Sequence, residues 1–505
     1  MTKNLLARLG LAAMLLVAGT AQAVLLPQPE LRALGNLDAL PLHSPSTLAL
    51  QKALAEPLAV NKSGPLRVAV KLPLALSLAD GLWDEPSPGN SRWRLRVSSG
   101  GAKSLALAFS QFRLPADAGL WLYDTEGSLL QGPYVTGNET PEGRLWTALV
   151  PAEMAVVELR VPTASKAAVA LQLASLSHGT QDFEKAALQP GTAGSCNIDV
   201  ACTQGDNYRN EIRSTAVYTV ESGNSVFTCS GQLVNNLRQD STPFFLTANH
   251  CKVTAATAGS MVLYWNFQRA NCGGGSSSLS QTQTGATYLA SEARSDFALV
   301  RLSQAPSAGF NVYYMGWDVG DVAPTQGAAI HHPQGDVKKI ALYGSGTRIE
   351  DNACAASDGT TCEFRVDAWR VVWTQGTTEG GSSGSGLLNQ NRRLIGVLSG
   401  GGASCSSLSE PDYFGRLGKA WRTGCTSSSQ LKAWLDPDNS GRSELCGQNP
   451  GSPCNTSIRT SGTASPGVLT STGSCGGAAP LPGGSGALNP WLLAGLLLAG
   501  LRRRR

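Results

Sequence analysis

Three short patterns in the second half of the chain hold side chains that could carry out acyl transfer to water. An imidazole occurs in FFLTANHC at His250, a carboxylate in SDFALVRL at Asp296 and a hydroxyl in GGSSGSG at Ser383. This chemistry needs a nucleophile, a base that titrates near neutrality and an acid that holds the base in its useful tautomer. Each pattern alone is commonplace, but their joint occurrence in this order predicts a catalytic set.

The sequence around Ser383 favours a catalytic turn over a flexible linker. Ser383 stands third in a G-x-S-G pattern, so we prefer it to Ser382 and Ser385 as the nucleophile. Glycines on both sides let the backbone turn so that N–H groups face a developing oxyanion. Apolar runs at residues 371–373 and 387–388 flank the pattern, which is unusual for a linker.

Only five histidines compete for the role of base. His43 and His178 precede the cysteine-rich segment, which leaves His250, His331 and His332. His331 and His332 fall within a strand-like run, and we expect both to be structural, hydrogen-bonded residues.

The elements that must position these side chains are mainly β-strands, and the predicted fold class is all-β. Residues 24 to about 190 lack cysteine and show short alternating runs between turn clusters, the pattern of a small β-sandwich. The runs that predict strands there are residues 91–97, 120–123 and 155–161. In the cysteine-rich segment, strands are predicted at residues 226–234, 244–247, 261–267, 297–302 and 394–398, and a helix only at 430–435.

Composition limits the classes of function. The chain has 505 residues, 42% hydrophobic and 15% charged, with a net charge of +4. Lys3, Arg8 and four arginines at 502–505 account for more than this excess, so the part between them is slightly acidic. A nucleic-acid partner is therefore not indicated.

Both ends of the chain predict targeting segments. Residues 1–23 combine basic residues, an apolar stretch and Ala21-Gln22-Ala23, which is typical of a signal peptide removed by signal peptidase. Residues 448–486 are rich in Gly, Ser, Thr and Pro and predict a linker. Residues 487–505 pair a short apolar run with terminal arginines, and with the preceding Gly-Gly-Ser they resemble GlyGly-type C-terminal sorting signals of Gram-negative exported proteins. The resemblance implies transient membrane attachment and removal by a sorting protease, and a plain membrane anchor is the alternative.

The predicted export determines how the cysteines are interpreted. All twelve lie between Cys196 and Cys475, an even number that predicts disulfides in an oxidising compartment. No CxxC pair occurs, so we expect no metal site, and no cofactor is indicated.

Further motifs between residues 194 and 448 resemble a known family. This segment is similar to trypsin-like (chymotrypsin-fold) serine endopeptidases of the bacterial lysyl endopeptidase group. The matching stretches are GSCNIDV (194–200), LVNN (233–236), LTANHC (246–251), VLYWN (262–266), SQTQ (280–283), AIHHP (329–333), GSSGS (381–385), FGR (414–416) and WLDP (434–437). They cover about half the chain, and the front half has no comparable motif.

The resemblance implies a double β-barrel and a role for each site residue. His250 would be the general base, Asp296 its orienting acid and Ser383 the nucleophile. The backbone N–H groups of Gly381 and Ser383 would form the oxyanion hole. Asp412 would select lysine in the residue that precedes the scissile bond.

Three alternatives stay open. Glu410 competes with Asp412, because either acid could be a surface loop residue. Relatives have a histidine where this chain has Ser399, which leaves lysine-only against lysine-and-arginine cleavage undecided. The protease fold could also be retained in an inactive surface binding or adhesion module, although such a module needs no complete His, Asp and Ser set.

The resemblance also implies disulfides and maturation. It suggests the pairs Cys196–Cys405, Cys202–Cys272 and Cys229–Cys251; proximity in sequence adds Cys354–Cys362, Cys425–Cys446 and Cys454–Cys475. Residues 24–190 would be a propeptide that covers the cleft or assists folding, removed near Lys185 or Gly191. Ser382 precedes the nucleophile where animal trypsins have an aspartate, so activation should not require a new amino terminus to insert as an ion pair.

The expected product is a protease domain at residues 194–447 that acts as a monomer on protein and peptide substrates. It would be secreted from a Gram-negative bacterium, with the outer cell surface or the periplasm as alternatives.

Overall fold

The computed structural model describes residues 28–30, 37–56, 64–181, 193–357 and 361–454. The predicted signal peptide, Lys185, Gly191, Cys475 and the C-terminal tail lie outside these residues. Within the described ranges, no helix combines the length and the apolar character that crossing a bilayer requires.

Among the described residues up to 181, the N-terminal part contains one α-helix and ten strands. Helix α1 covers Thr47–Ala55, and Ser46 caps it by accepting a hydrogen bond from the backbone N–H of Ala49. The strands are β1 (Leu42–His43), β2 (Leu66–Ser77), β3 (Leu82–Ser87), β4 (Asn90–Ser98), β5 (Leu105–Arg113), β6 (Gly119–Asp124), β7 (Leu130–Tyr134), β8 (Leu145–Trp146), β9 (Met154–Pro162) and β10 (Ala170–Gly179).

These strands form a β-sandwich, as the alternating runs predict. One sheet has the order β1-β4-β9-β6-β7, with β3 also paired to β4, and the facing layer has the order β2-β10-β5-β8. Apolar side chains from both layers fill the space between them, including Leu95, Leu122 and Val157 from the first and Leu107 and Leu176 from the second. The predicted strands at 91–97, 120–123 and 155–161 are β4, β6 and β9.

Over residues 193–357 and 361–454, the cysteine-rich part contains eighteen strands and three short α-helices. The strands are β11 (Ile198–Asp199), β12 (Thr215–Ser222), β13 (Ser225–Val234), β14 (Phe244–Ala248), β15 (Val262–Trp265), β16 (Thr282–Thr284), β17 (Ala286–Glu292), β18 (Phe297–Leu302), β19 (Trp317–Asp318), β20 (Gly327–His331), β21 (Lys339–Tyr343), β22 (Arg348–Ser357), β23 (Cys362–Val371), β24 (Trp373–Gln375), β25 (Gly386–Leu388), β26 (Leu394–Gly401), β27 (Asp412–Arg416) and β28 (Glu444–Leu445). The helices are α2 (Arg209–Ile212), α3 (Leu417–Arg422) and α4 (Lys432–Leu435). Sequence analysis predicted only α4 and missed α1, α2 and α3.

Two β-barrels result, as in chymotrypsin-like proteases. Strands β12–β18 surround one apolar core that includes Tyr218, Phe245 and Trp265, and β20–β27 surround a second that includes Trp369 and Phe414. A third cluster lies between the barrels and takes residues from both, listed in part as Val234, Leu246, Phe297, Leu299, Trp317, Ile330, Ile340, Leu388, Leu394, Val397 and Trp421. Buried apolar area between the barrels fixes their relative position, and the loops that carry His250, Asp296 and Ser383 lie along this junction.

The sandwich and the first barrel share one continuous sheet, which no sequence pattern predicted. Strand β2 of the sandwich pairs antiparallel with β13 of the barrel. Beneath this junction Val68 and Leu149 of the sandwich pack with Val217, Val226 and Tyr264 of the barrel.

Five disulfides are described, and two predicted pairs are wrong. Cys196–Cys405, Cys202–Cys272, Cys229–Cys251 and Cys354–Cys362 form as predicted. Cys446 pairs with Cys454, at a Cα–Cα distance of 6.1 Å, instead of with Cys425. This bond excludes both Cys425–Cys446 and Cys454–Cys475; Cys425 is itself disulfide-bonded.

The same bond corrects the start of the predicted linker. Residues 448–454 were placed in the linker by composition, yet Gln448 is buried and exchanges backbone hydrogen bonds with Tyr314. Cys454 packs against the apolar cluster between the barrels. The folded part therefore continues at least to Cys454.

Candidate active site

His250 and Asp296 meet at the edge of the first barrel. His250 lies in a 3-10 turn, Asn249–Cys251, that follows β14, and Asp296 directly precedes β18, the strand paired with β14. The His250 Nδ1 and Asp296 Oδ2 atoms are 2.8 Å apart, and the His250 backbone N–H donates to Asp296 Oδ1 at 3.0 Å. Asp296 is fully buried, so this carboxylate holds the ring with Nδ1 protonated and Nε2 available.

Ser383 lies between the two barrels. Its carbonyl oxygen accepts a hydrogen bond from Ser230 of β13 at 2.9 Å, and the following Gly384 N–H donates to Leu398 of β26 at 2.9 Å. Gly384 has φ of +82°, and a Cβ on it would lie 2.8 Å from the Ala248 nitrogen. Only glycine fits here, and this close approach brings the serine turn against the strand that leads into His250. His250 Nε2 is buried and has no hydrogen-bond partner among the described residues, so the bond to Ser383 Oγ is not formed in this structure.

The Gly380–Gly381 peptide is oriented for anion binding. The Gly380 carbonyl accepts a hydrogen bond from the Gln334 N–H at 2.6 Å. In a trans peptide the N–H points opposite to the C=O, so the Gly381 N–H faces away from Gln334. Neither this N–H nor that of Ser383 has an acceptor among the described residues. Two such donors on one turn can stabilise an oxyanion.

Ser382 and His331 support this turn from behind. His331 Nδ1 lies 2.8 Å from Ser382 Oγ, which also accepts the Glu379 N–H at 3.1 Å. The Glu379 carboxylate in turn accepts the Gly194 N–H at 3.0 Å, beside the Cys196–Cys405 disulfide. The position that is an aspartate in animal trypsins is thus bonded internally to a buried histidine.

His332 and Lys338 are buried basic groups behind the same turn. His332 stacks on Phe267, and its Nδ1 lies 2.9 Å from the Asp336 carbonyl. Burial and the nearby Lys338 charge lower the pKa of His332 well below its usual value, so the ring is neutral. Lys338 is fully buried and donates to the Ile212 carbonyl at 2.8 Å, and burial lowers its pKa to about 7.

Asp412 is a buried carboxylate in the second barrel. Its Oδ2 accepts hydrogen bonds from Trp373 Nε1 and Thr378 Oγ1, both at 2.7 Å. Its Oδ1 lies under Gly401, which has φ of +144° and no room for a Cβ. The competing acid, Glu410, is exposed, so of the two only Asp412 has the low-polarity surroundings in which a charge is selective.

Two further residues border the histidine and the aspartate. Phe364, on the hairpin of β22 and β23 that Cys354–Cys362 closes, has its ring centroid 5.9 Å from that of His250. Ser399 is buried in β26, and its Oγ has no partner among the described residues.

Sequence analysis missed the residues that support the loops. Ser230 binds two carbonyls of the serine turn, because its Oγ also donates to the Gly381 carbonyl at 3.0 Å. Gln334, Glu379 and Phe364 were likewise not singled out. No local pattern marks them, since each acts through partners more than 40 positions away in the chain.

Comparison with known proteins gives two sequence matches. Residues 190–415 match the family model described as "Lysyl endopeptidase, C-terminal domain". A lysyl endopeptidase of Pseudomonas aeruginosa is 29% identical over 400 residues, which cover 74% of this chain and 83% of that protein. The chain is a serine endopeptidase. Both matches support the resemblance to the lysyl endopeptidase group that the motifs indicate.

Solved structures of serine proteases are also similar to this endopeptidase at lower levels. The active form of the Rv3671c protease from M. tuberculosis is 14% identical, with a TM-score of 0.31, over 46% of this chain and 90% of that one. The HtrA-type protease AlgW with a tripeptide is 16% identical, with a TM-score of 0.29, over 43% of this chain and 60% of that one.

Replacing Gly381 should damage catalysis more than folding. A Cβ on Gly381, whose φ is +88°, would lie 2.9 Å from the Gly335 nitrogen and 3.0 Å from the His332 carbonyl oxygen. We expect Gly381→Ala to turn the 380–381 peptide and lower kcat by about 10²–10³-fold, the usual cost of one oxyanion donor. Steady-state kinetics on a peptide substrate measures this.

The matched control is Gly223→Ala. Gly223 also has positive φ, +60°, but nothing lies within 4 Å of its Cβ position. Equal kcat values for the two variants would contradict the proposed orientation of the peptide.

Lys338 should make stability depend on pH. Its pKa is about 7 when folded and near 10.5 when unfolded, so the unfolded chain binds more protons between these values. The free energy of unfolding contributed by this group should therefore rise with pH from about 7 to 10.5. Lys338→Met should remove that rise, which denaturant unfolding of inhibited enzyme at several pH values measures. Parallel pH profiles for wild type and variant would exclude a neutralised lysine.

Proposed function

We propose that this serine endopeptidase is secreted and hydrolyses peptide bonds on the carboxyl side of lysine through His250, Asp296 and Ser383. The observation that carries the triad is the 2.8 Å bond between His250 and Asp296, with the Ser383 turn packed against the strand before the histidine. Arginine is the second residue that the same pocket could accept.

The proposed mechanism gives each of these groups one role. Ser383 Oγ attacks the scissile carbonyl while His250 Nε2 takes its proton, and Asp296 stabilises the resulting imidazolium. The N–H groups of Gly381 and Ser383 bind the oxyanion of the tetrahedral intermediate. His250 then gives the proton to the leaving amine, and a water molecule hydrolyses the acyl-enzyme with His250 again acting as base.

The preference for lysine would come from Asp412. The carboxylate is buried, and the hydrogen bonds from Trp373 and Thr378 to Oδ2 hold it in one orientation. A substrate ammonium would supply the counter-charge that a buried carboxylate requires, whereas a neutral side chain would leave it unpaired. The name of the P. aeruginosa relative supports lysine as the residue selected.

Secretion and maturation complete the proposal. The five described disulfides fit an oxidising compartment. We expect signal peptidase to cut after Ala23 and a second cleavage near Lys185 or Gly191 to release residues 24–190. The C-terminal tail would be removed by a sorting protease or retained as an anchor.

The triad assignment predicts a graded loss of activity. Ser383→Ala should lower kcat by about 10⁶-fold and abolish labelling by a fluorophosphonate reagent. Asp296→Asn should lower kcat by about 10⁴-fold, because the amide holds the wrong imidazole tautomer. Intact-mass measurement of the labelled protein and steady-state kinetics check both. A wild-type chain that the reagent does not modify at Ser383 would favour the inactive binding module.

The pocket assignment predicts a change of specificity. Asp412→Asn keeps acceptors for Trp373 and Thr378 but removes the charge, so kcat/KM for lysine substrates should fall by about 10²–10⁴-fold relative to those with neutral residues. Glu410→Gln, an exposed neighbour, should leave the preference unchanged. Digestion of a peptide library followed by mass spectrometry gives the cleavage rule. If Asp412→Asn retains the preference for cationic residues, another carboxylate selects them.

A further inference from the structure

One edge of strand β13 holds both the nucleophile turn and a strand of the N-terminal sandwich. Strand β12 pairs with β13 along one edge over its whole length, from Thr215–Gln232 to Ser222–Ser225. The opposite edge is divided between three partners. Strand β14 pairs with residues 232–234, the Ser383 carbonyl bonds to Ser230, and β2 pairs with residues 225–228.

The first residue of β2 borders the catalytic turn. Leu66 pairs with Thr228, two positions from the residue that binds Ser383. Its Cδ1 lies 4.0 Å from the position that a Cβ would take on Gly380. Strand β2 then runs away from the site, because it is antiparallel to β13, and ends at Ser77. The start of β2 therefore occupies β-sheet positions immediately beside the oxyanion turn.

An extended substrate needs this same edge. Ser383 lies between Leu398 of β26, in the barrel that holds Asp412, and Ser230 of β13. In a bound substrate, the side chain before the scissile bond enters the Asp412 pocket. The leaving-group side of the same substrate must then continue past Ser383 toward β13. Extended peptides bind by adding a strand to an open sheet edge, and here residues 225–228 provide that edge.

Contacts far from the catalytic turn hold β2 in place. Lys71 Nζ lies 2.8 Å from Glu221 Oε2, and the Lys71 N–H donates to the Asn224 carbonyl at 2.9 Å. Behind the strand, the Leu149 N–H donates to Tyr264 Oη at 3.0 Å within the shared apolar cluster. The sandwich is thus anchored on the outside of the first barrel, and of its described strands β2 is the one whose beginning borders the catalytic groove.

We propose that residues 66–70 of β2 occupy the groove for the leaving-group side of the substrate and block it while the sandwich stays bound. The partner that this groove accepts is an extended peptide strand, either β2 or the substrate, but not both. Cleavage of the chain between the sandwich and the barrels would then not be enough to admit long substrates. The sandwich would also have to dissociate. This inference rests on the endopeptidase activity and does not depend on the preference for lysine.

The test uses the full chain with Ser383→Ala, so that no cleavage occurs during binding. The probe is a fluorescent peptide that extends four residues past the scissile bond, with a sequence taken from the cleavage products of the processed wild-type enzyme. If that enzyme cleaves nothing, the proposed function fails before this experiment begins. Affinity is compared among S383A, S383A with Leu66→Asp and Lys71→Glu, and S383A with Leu82→Asp. Leu82 is an exposed leucine, 48% accessible, on the far sheet of the sandwich.

We expect the Leu66→Asp, Lys71→Glu chain to bind the probe at least tenfold more tightly than S383A alone. The Leu82→Asp control should match S383A. The proposal would be overturned if the Leu66→Asp, Lys71→Glu chain bound the probe no more tightly than S383A while its β2 amides had lost hydrogen-exchange protection. The strand would then have left β13 without opening a binding site.

Hydrogen exchange on S383A gives a second test that needs no change in the sandwich. A saturating concentration of the long peptide should remove protection from the amides of residues 66–70. A peptide that ends at the residue before the scissile bond should leave that protection intact, because it does not reach β13. Retained protection of residues 66–70 while the long peptide saturates the chain would refute competition for the edge.

Discussion

The hydrogen bonds of Ser230 hold the two halves of the candidate active site together. Its N–H and its Oγ bind the carbonyls of Ser383 and Gly381, and the Oγ accepts the His332 N–H at 3.0 Å. The preceding residue, Cys229, is bonded to Cys251, which follows His250. Ser230 therefore fixes the position of the serine turn of one barrel relative to the histidine turn of the other. Acyl transfer depends on that registration, since sub-ångström placement of the reacting groups decides the rate.

Hydrogen bonds of Ser382 hold the turn before Ser383 at the position where animal trypsins have an aspartate. Ser382 bonds to His331, and the neutral His332 fills the space behind the turn with its ring on Phe267. Burial lowers the pKa of His332 well below its usual value and so favours the uncharged ring. A turn held in this way does not rely on an ion pair at position 382. The Cys196–Cys405 bond and the Glu379 contact to Gly194 tie the start of the protease domain to the same turn.

The sequence was sufficient for the all-β class, the sandwich and the approach of His250 to Asp296. These follow from two-residue periodicity and from motifs whose spacing reflects the barrel fold. It was not sufficient for Ser230, Gln334 or Glu379, because their hydrogen bonds join residues 46 to 185 positions apart and leave no local signal. The pairing of Cys446 was wrong for a related reason. Cys454 is only 8 positions from Cys446, but composition placed it in the linker, and no local pattern shows that the chain after β28 folds back on Tyr314.

The sheet shared by β2 and β13 also bears on how the barrels assemble. The sandwich precedes the barrels in the chain and is synthesised first, so its own strand pairs can form before β13 and the Ser383 turn exist. A finished sandwich thus presents a ready-made template to which the nascent β13 can attach. It also covers part of the β13 edge, which could otherwise pair with other chains while the barrels fold. If the sandwich is removed as proposed, a molecule that unfolds afterwards lacks this template, and its lifetime is set by its rate of unfolding.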